Sequence, residues 1–168
     1  FLVAWDGPGT STDVFAQRFT PAGVKVGDEF LLNTTVSGNQ QFPEVVFFPD
    51  GSFVAAFVDS SQTVLQHFDG NAVHLGQETR ISSPTGGAVI LDSMDIQPDG
   101  TVLFTGTASA EIYAQRFAVV TSGFTPVGSV VHLNQYTTGT QRYSIARADG
   151  QGNIVVVWES VGQDGSGI

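Results

Sequence analysis

Cysteine is absent from the 168 residues. No disulfide can staple the fold, no thiolate can hold a metal, and the redox compartment leaves no trace. Charge is scarce: 13% of residues are Asp, Glu, Lys or Arg, about half the usual ~25%. It is also one-sided, with one lysine (Lys25) among six basic residues against 16 acidic ones, a net charge of −10. Such a surface argues against nucleic acid, whose phosphates need clustered Lys and Arg, and against anionic membrane surfaces. No stretch approaches the ~20 apolar residues of a spanning helix, so no membrane insertion is expected. Nor does any segment sustain a 3.6-residue apolar period, so almost no helix is expected. Gly-x-Ser-x-Gly, phosphate-loop and dinucleotide patterns are missing, and His67, His74 and His132 form no ligand set. The chain names no reaction, and a non-enzyme is the expectation.

What is there is a repeat. Gln17-Arg18-Phe19 returns as Gln66-His67-Phe68 and as Gln115-Arg116-Phe117, 49 residues apart each time. Pro49-Asp50-Gly51 returns as Pro98-Asp99-Gly100 and, 50 residues on, as Ala148-Asp149-Gly150. Two anchors in step over three copies mean stacked units, each too small to bury its own apolar face. One unit reads as four strands. Pro43–Phe48 is β-rich and ends at Pro49-Asp50-Gly51, a hairpin turn in which glycine supplies the positive φ. Ser52–Val58 returns as a second strand, Thr63–Phe68 is a third, and Glu78–Ser82 a shorter, more polar fourth. Polarity suits an outer edge that must not stick to other sheets.

Four antiparallel strands in about 50 residues predict an all-β fold of β-propeller-type blades. Residues 1–42 make a partial blade, 43–87 and 88–141 two whole blades, and 142–168 the start of another. These about three and a quarter blades cannot close a ring comfortably, so the sequence reads as a fragment of a larger or multi-chain propeller, with a stacked sandwich or an open β-solenoid as the alternatives. The expected partners are further repeats of the same chain or other copies of it.

The ending Val155-Val156-Val157-Trp158-Glu159-Ser160-Val161-Gly162-Gln163-Asp164-Gly165-Ser166-Gly167, with Phe15-Ala16-Gln17-Arg18-Phe19 and Val26-Gly27-Asp28-Glu29-Phe30-Leu31-Leu32-Asn33-Thr34, resembles a known bacterial repeat. Its units are arrayed in very large secreted and surface proteins, often beside RTX-type calcium-binding or cadherin-like modules. The resemblance covers essentially the whole chain. It implies an extracellular or cell-surface, propeller-forming module with an adhesive or scaffolding role and no catalytic site. Trp5 and Trp158 fit the pattern, whereas Phe57 replaces them in the second unit and the segment Phe104-Thr105-Gly106-Thr107 of the third has no Trp. The acidic-glycine loop at 163–167 becomes Asp6-Gly7-Pro8-Gly9-Thr10 in the first unit and shrinks to Asp59-Ser60-Ser61-Gln62 and Ala108-Ser109-Ala110 in the others.

Calcium is the sharpest metal expectation, because hard cations take carboxylate and carbonyl oxygens from short Asp/Gly loops. Asp164, Asp6 and Asp13 are the candidates; turn-forming Asp-Gly explains the same residues without a metal, and no other cofactor is implied. Gln17, Gln66 and Gln115 lie among apolar residues of the third strands. A buried unpaired amide costs about 1–3 kcal/mol, so each is expected to bond a neighbouring blade's backbone. Arg18 and His67 are expected to pair with Glu29 and Glu78, and Arg116 to lack such a partner, since Val130 replaces the glutamate. Trp5 and Trp158 are expected between blades, Gly51, Gly100 and Gly150 in turns, and Tyr136 exposed as a contact for a glycan or protein ligand. Asn33-Thr34-Thr35 matches the glycosylation sequon. The alternative to a scaffold is the propeller portion of a secreted hydrolase or lectin that binds carbohydrate.

Overall fold

The computed structural model describes residues 1–7, 11–82 and 88–165. Among them are thirteen strands and no helix: β1 (Leu2–Gly7), β2 (Asp13–Phe19), β3 (Lys25–Leu31), β4 (Gln40–Phe47), β5 (Phe53–Asp59), β6 (Gln62–Phe68), β7 (His74–Arg80), β8 (Ile90–Ile96), β9 (Val102–Ala108), β10 (Glu111–Val120), β11 (Gly123–His132), β12 (Gln141–Ala148) and β13 (Ile154–Ser160). They form four antiparallel sheets in chain order, β1-β2-β3, β4-β5-β6-β7, β8-β9-β10-β11 and β12-β13. β4 begins at Gln40 and β12 at Gln141, slightly ahead of the boundaries read at 43 and 142. The fourth strand of the second sheet is His74–Arg80, displaced toward the preceding turn from Glu78–Ser82.

Each sheet stacks on the next through one recurring interface. All seven residues of β5 are buried, because a sheet lies against each of its faces. Phe53, Ala55 and Phe57 pack with Val64 and Phe68 against Val14, Ala16 and Leu32 of the first sheet. Val54 and Ala56 pack with Leu65 and Ile81 against Met94, Val102, Phe104, Phe117 and Phe124 of the third. The strand therefore reads as a continuous apolar run rather than an alternating one, and each buried Phe contributes about 1.5–3 kcal/mol. Between the third and fourth sheets the same interface is smaller: Leu103 and Ala114 against Ala146 and Val156.

The first strands β4, β8 and β12 lie side by side at the inner end of this stack, tied by polar links. The Met94 N–H donates to Glu44 Oε1 at 3.1 Å, and one unit on the Ala146 N–H donates to Ser93 Oγ at 2.9 Å. At the outer end, β7 turns mostly exposed residues to solvent.

The hairpin turns follow the sequence in two places and depart in the third. Gly51 and Gly100 take φ of +89° and +79°, and Asp50 and Asp99 accept the backbone N–H and hydroxyl of Ser52 and Thr101 at 2.7 to 3.0 Å. Gly150 does not take the third place. The left-handed residue there is Gly152, φ +85°, whose N–H donates to Asp149 O as Gly51 and Gly100 donate to Phe48 and Gln97. Asp149 caps this turn, accepting from the Gln151 and Asn153 N–H groups as Asp69 accepts from those of Asn71 and Val73. The matching Asp-Gly letters thus sit two residues out of structural register.

Candidate functional site

The inner strands carry the densest polar cluster. Asp92 Oδ2 accepts from Thr107 Oγ1 at 2.7 Å and from the Ser144 N–H and hydroxyl at 3.1 and 2.9 Å. Asp95 accepts the Ala148 N–H at 2.7 Å, and Arg147 reaches the carbonyls of Ala146 and Met94. Burial pushes the Glu44 carboxyl above its ordinary value; the Met94 N–H and Arg147 oppose that shift, while Asp92 and Asp95 add to it. Each carboxylate accepts from a backbone or hydroxyl donor, most of them on the neighbouring inner strand. The cluster therefore ties strands together, and a low-dielectric setting strengthens those bonds. Among the described residues no group of three or more His, Asp or Glu is placed to hold a metal ion.

Among the described residues the repeated glutamines bond within their own sheets rather than across them. Gln17 Nε2 donates within its own sheet to Arg18 O, Val26 O and Gly27 O at 3.0, 3.4 and 3.2 Å. Gln66 reaches His67 O and Leu75 O at 2.9 and 3.1 Å, and Gln115 reaches Arg116 O, Val127 O and Gly128 O at 2.9, 3.1 and 3.4 Å. The cause is a bulge: the third-to-fourth strand register shifts at 16/18, at 65/67 and at 114/116, leaving each glutamine opposite unpaired fourth-strand carbonyls. Gly27, Gly76 and Gly128 make the bulge with φ of +69°, +69° and +72°. The glycine recurring after Val26, Leu75 and Val127 was the signal for it.

The expected ion pairs are also rearranged. Arg18 donates to Gly70 O of the second sheet at 2.8 Å rather than to Glu29. Glu78 accepts from the Thr34 and Thr35 N–H groups and the Thr35 hydroxyl, linking the second sheet back to the first. Arg116 does have a carboxylate, Asp99 at 3.3 Å.

Of the calcium candidates, Asp6 and Asp13 lie on the first sheet and Asp164 in the turn after β13 of the fourth, where it is engaged in contacts of its own. Asp13 Oδ1 accepts Asn33 Nδ2 at 2.8 Å. Pro8, Gly9, Thr10, Ser166, Gly167 and Ile168, and the connection 83–87, lie outside the described residues. In the shortened loop of the second sheet, Asp59 is paired with Arg80 and accepts from Ser60 and Gln40.

Asn33 is 2% exposed and holds the Val14 N–H at 3.0 Å, so the sequon asparagine is an internal clamp. Asn134 does the same for the Ile112 N–H at 2.8 Å. Trp5 is half-buried and stacks on Phe15 at 6.2 Å, and Trp158 is half-buried on the fourth sheet. Tyr136 is not the exposed tyrosine, since its hydroxyl donates to Gly162 O at 3.1 Å. Tyr143 is, at 65%, and Phe42, one position before Pro43 in the matching bulge of β4, is equally exposed. Both hold φ of +57°, where an L-residue is disfavoured by about 1–2 kcal/mol.

No family model and no curated protein matches this chain. A structural-genomics crystal structure of a protein from Lactobacillus plantarum superposes with a TM-score of 0.60 at 14% identity, covering 93% of this chain and 49% of that one. The chain thus spans about half the length of that protein, and the likeness is one of fold.

Proposed function

We propose that the chain is a propeller-type repeat module of a large extracellular or cell-surface protein, non-enzymatic, serving as a structural or adhesive scaffold. On this reading the sheets are blades, β4, β8 and β12 line the axis, and further repeats or other copies continue the ring. The observation that carries it is the recurring interface: the faces joining the first sheet to the second join the second to the third, with the same inner-strand link repeated at Glu44 and Ser93. Units built to stack make a surface that grows by addition. The inner carboxylates support the reading too, because they are spent on neighbouring backbone. Ligands would then be met by the blade loops and exposed rings, with calcium, if bound, held at the acidic loops.

The rival reading, part of a secreted hydrolase or lectin, would draw on Glu44 and Asp95 as an acid–base pair. A screen against glycosidic and ester substrates, run beside binding to immobilised glycans and matrix proteins, separates the two. The scaffold reading predicts binding at most, with no turnover. Hydrolysis that disappears in Glu44→Gln or Asp95→Asn would overturn it.

A further inference from the structure

Three successive hairpin turns, β4–β5, β8–β9 and β12–β13, meet around a cleft of about 510 Å³ at the turn end of the inner strands. Its walls are the same three positions of each turn, 47–49, 96–98 and 148–150. The backbone fixes the equivalence. Phe48, Gln97 and Asp149 each donate their N–H to the carbonyl just before the return strand, that of Ser52, Thr101 or Asn153. Each also accepts from the left-handed glycine of its turn, Gly51, Gly100 or Gly152. The middle turn, which carries Gln97, belongs to a four-stranded sheet with another sheet stacked on either side.

Gln17, Gln66 and Gln115 keep one side chain for one architectural task, but this position does not: a ring, an amide and a carboxylate stand at the same place on successive sheets. Gln97 is 5% exposed and lines the cleft, and among the described residues its Nε2 finds no acceptor. A buried amide donor is ordinarily paired, so the missing acceptor is one the chain does not supply. Phe48 packs its half-buried ring on the cluster shared by the second and third sheets, and Pro49, Ile96 and Pro98 extend the apolar wall. Opposite them Asp149 is exposed, and bonds from the Asn153 side chain and backbone hold its carboxyl below the ordinary value. The two-residue slip of the third turn is what brings this carboxylate to the wall. An occupant that suits all three walls presents an apolar C–H face to the ring and prolines, an oxygen to Gln97 and a hydroxyl to Asp149. Small-molecule sites of about 300–1,000 Å³ have this make-up, apolar walls with a few placed polar groups. Asp149 and the net charge of −10 disfavour an anionic occupant. We infer that the turn cleft binds a neutral carbohydrate. One sugar face lies against Phe48 and the prolines, a sugar oxygen accepts from Gln97 Nε2, and a hydroxyl donates to Asp149. This deepens the adhesive side of the proposed function by naming a ligand class, and rests on that reading only in expecting binding without turnover.

The whole chain is titrated with lactose, cellobiose, maltose and diacetylchitobiose at millimolar concentration and followed by saturation-transfer NMR, with sialyllactose as the charged counterpart of lactose. Saturable transfer to at least one neutral disaccharide is expected, with sialyllactose bound no better than lactose. Gln97→Leu should weaken binding about tenfold or more while leaving Tm unchanged or raised, because it removes an unpaired buried donor. A glutamine serving only the fold would lower Tm instead. Phe48→Leu should weaken binding likewise. Tyr143→Ser, at a ring 65% exposed toward the other end of β12, should not. Absence of saturable transfer to every neutral sugar overturns the inference, as does binding indifferent to Gln97 and Phe48, or a preference for sialyllactose. So does capture of a matrix protein that Gln97→Leu abolishes and no sugar displaces, since the occupant is then a polypeptide. Failure here with no turnover in the substrate screen leaves the scaffold reading standing. Turnover that Glu44→Gln abolishes while sugar binding persists removes the scaffold reading and keeps this one.

Discussion

Glu44 is the residue at which charge and architecture conflict most openly. It sits half-buried on β4 and accepts the N–H of Met94 from the neighbouring inner strand, a bond that a neutral acid or amide oxygen also makes. Burial, first, and the nearby Asp92 and Asp95 raise its carboxyl above the ordinary value of 4.5. A carboxyl raised in the folded state adds stability that is fully present below its unfolded value and lost as pH rises through the folded one. At pH 7, above the unfolded value, burying this carboxyl therefore detracts from stability. Glu44→Gln should raise Tm at pH 7, with the gap to wild type closing by pH 4; a lower Tm at pH 7 would mean that the charge is needed by Arg147. At this scale the sequence showed which residues recur but not what they touch. Gln17, Gln66 and Gln115 were legible as a structural repeat, yet their bonds run to their own fourth strands, because a period says nothing about where a ladder slips. Asn33 looked like a modification site, and only its burial shows it clamping Val14. Tyr136 and Tyr143 both lie near loop-like polar stretches, and backbone geometry alone decides which ring faces water.

The bulge between third and fourth strands is the element that sets the sheets apart from plain meanders. Its glycines share one conformation but not one environment. A Cβ at Gly76 would stand 2.7 Å from Gly123 N and 2.9 Å from Thr121 O of the next sheet, whereas one at Gly128 meets nothing within 4 Å. Gly128→Ala should cost about 1–2 kcal/mol, the strain of a left-handed L-residue, read as a fall in Tm or in the urea midpoint. Gly76→Ala should cost clearly more, because backbone must also move; equal losses would show that the two sheets do not meet there. Strand order, the polar fourth strand and the Asp50 and Asp99 turns were all legible, since alternation and turn chemistry are local. The third turn was misread because Asp149-Gly150 carries the right letters while Gly152 carries the conformation. The shortened loops could not be read as two-residue turns either. Ser60-Ser61 and Ser109-Ala110 take positive φ throughout, where Asn or Gly is the usual sign.

For the whole molecule, the period was the strongest signal, and it fixed an all-β stack before any strand was placed. What the period could not give is how much of each interface is filled, because that depends on strands meeting from different units. The stack grades outward in each complete sheet, from β5 and β9, buried along nearly their whole length, to β7 and the outer half of β11, which face solvent. Local opening is easiest where backbone bonds are exposed and apolar contacts few. Amide hydrogen exchange resolved along the chain tests this most directly. The account predicts slowest exchange at Phe53–Asp59 and again about 49 residues on at Val102–Ala108, with His74–Arg80 and the solvent-facing half of β11 exchanging first. Protection without that recurrence, or outer strands as slow as β5 and β9, would contradict an architecture of equivalent sheets stacked from an inner strand outward.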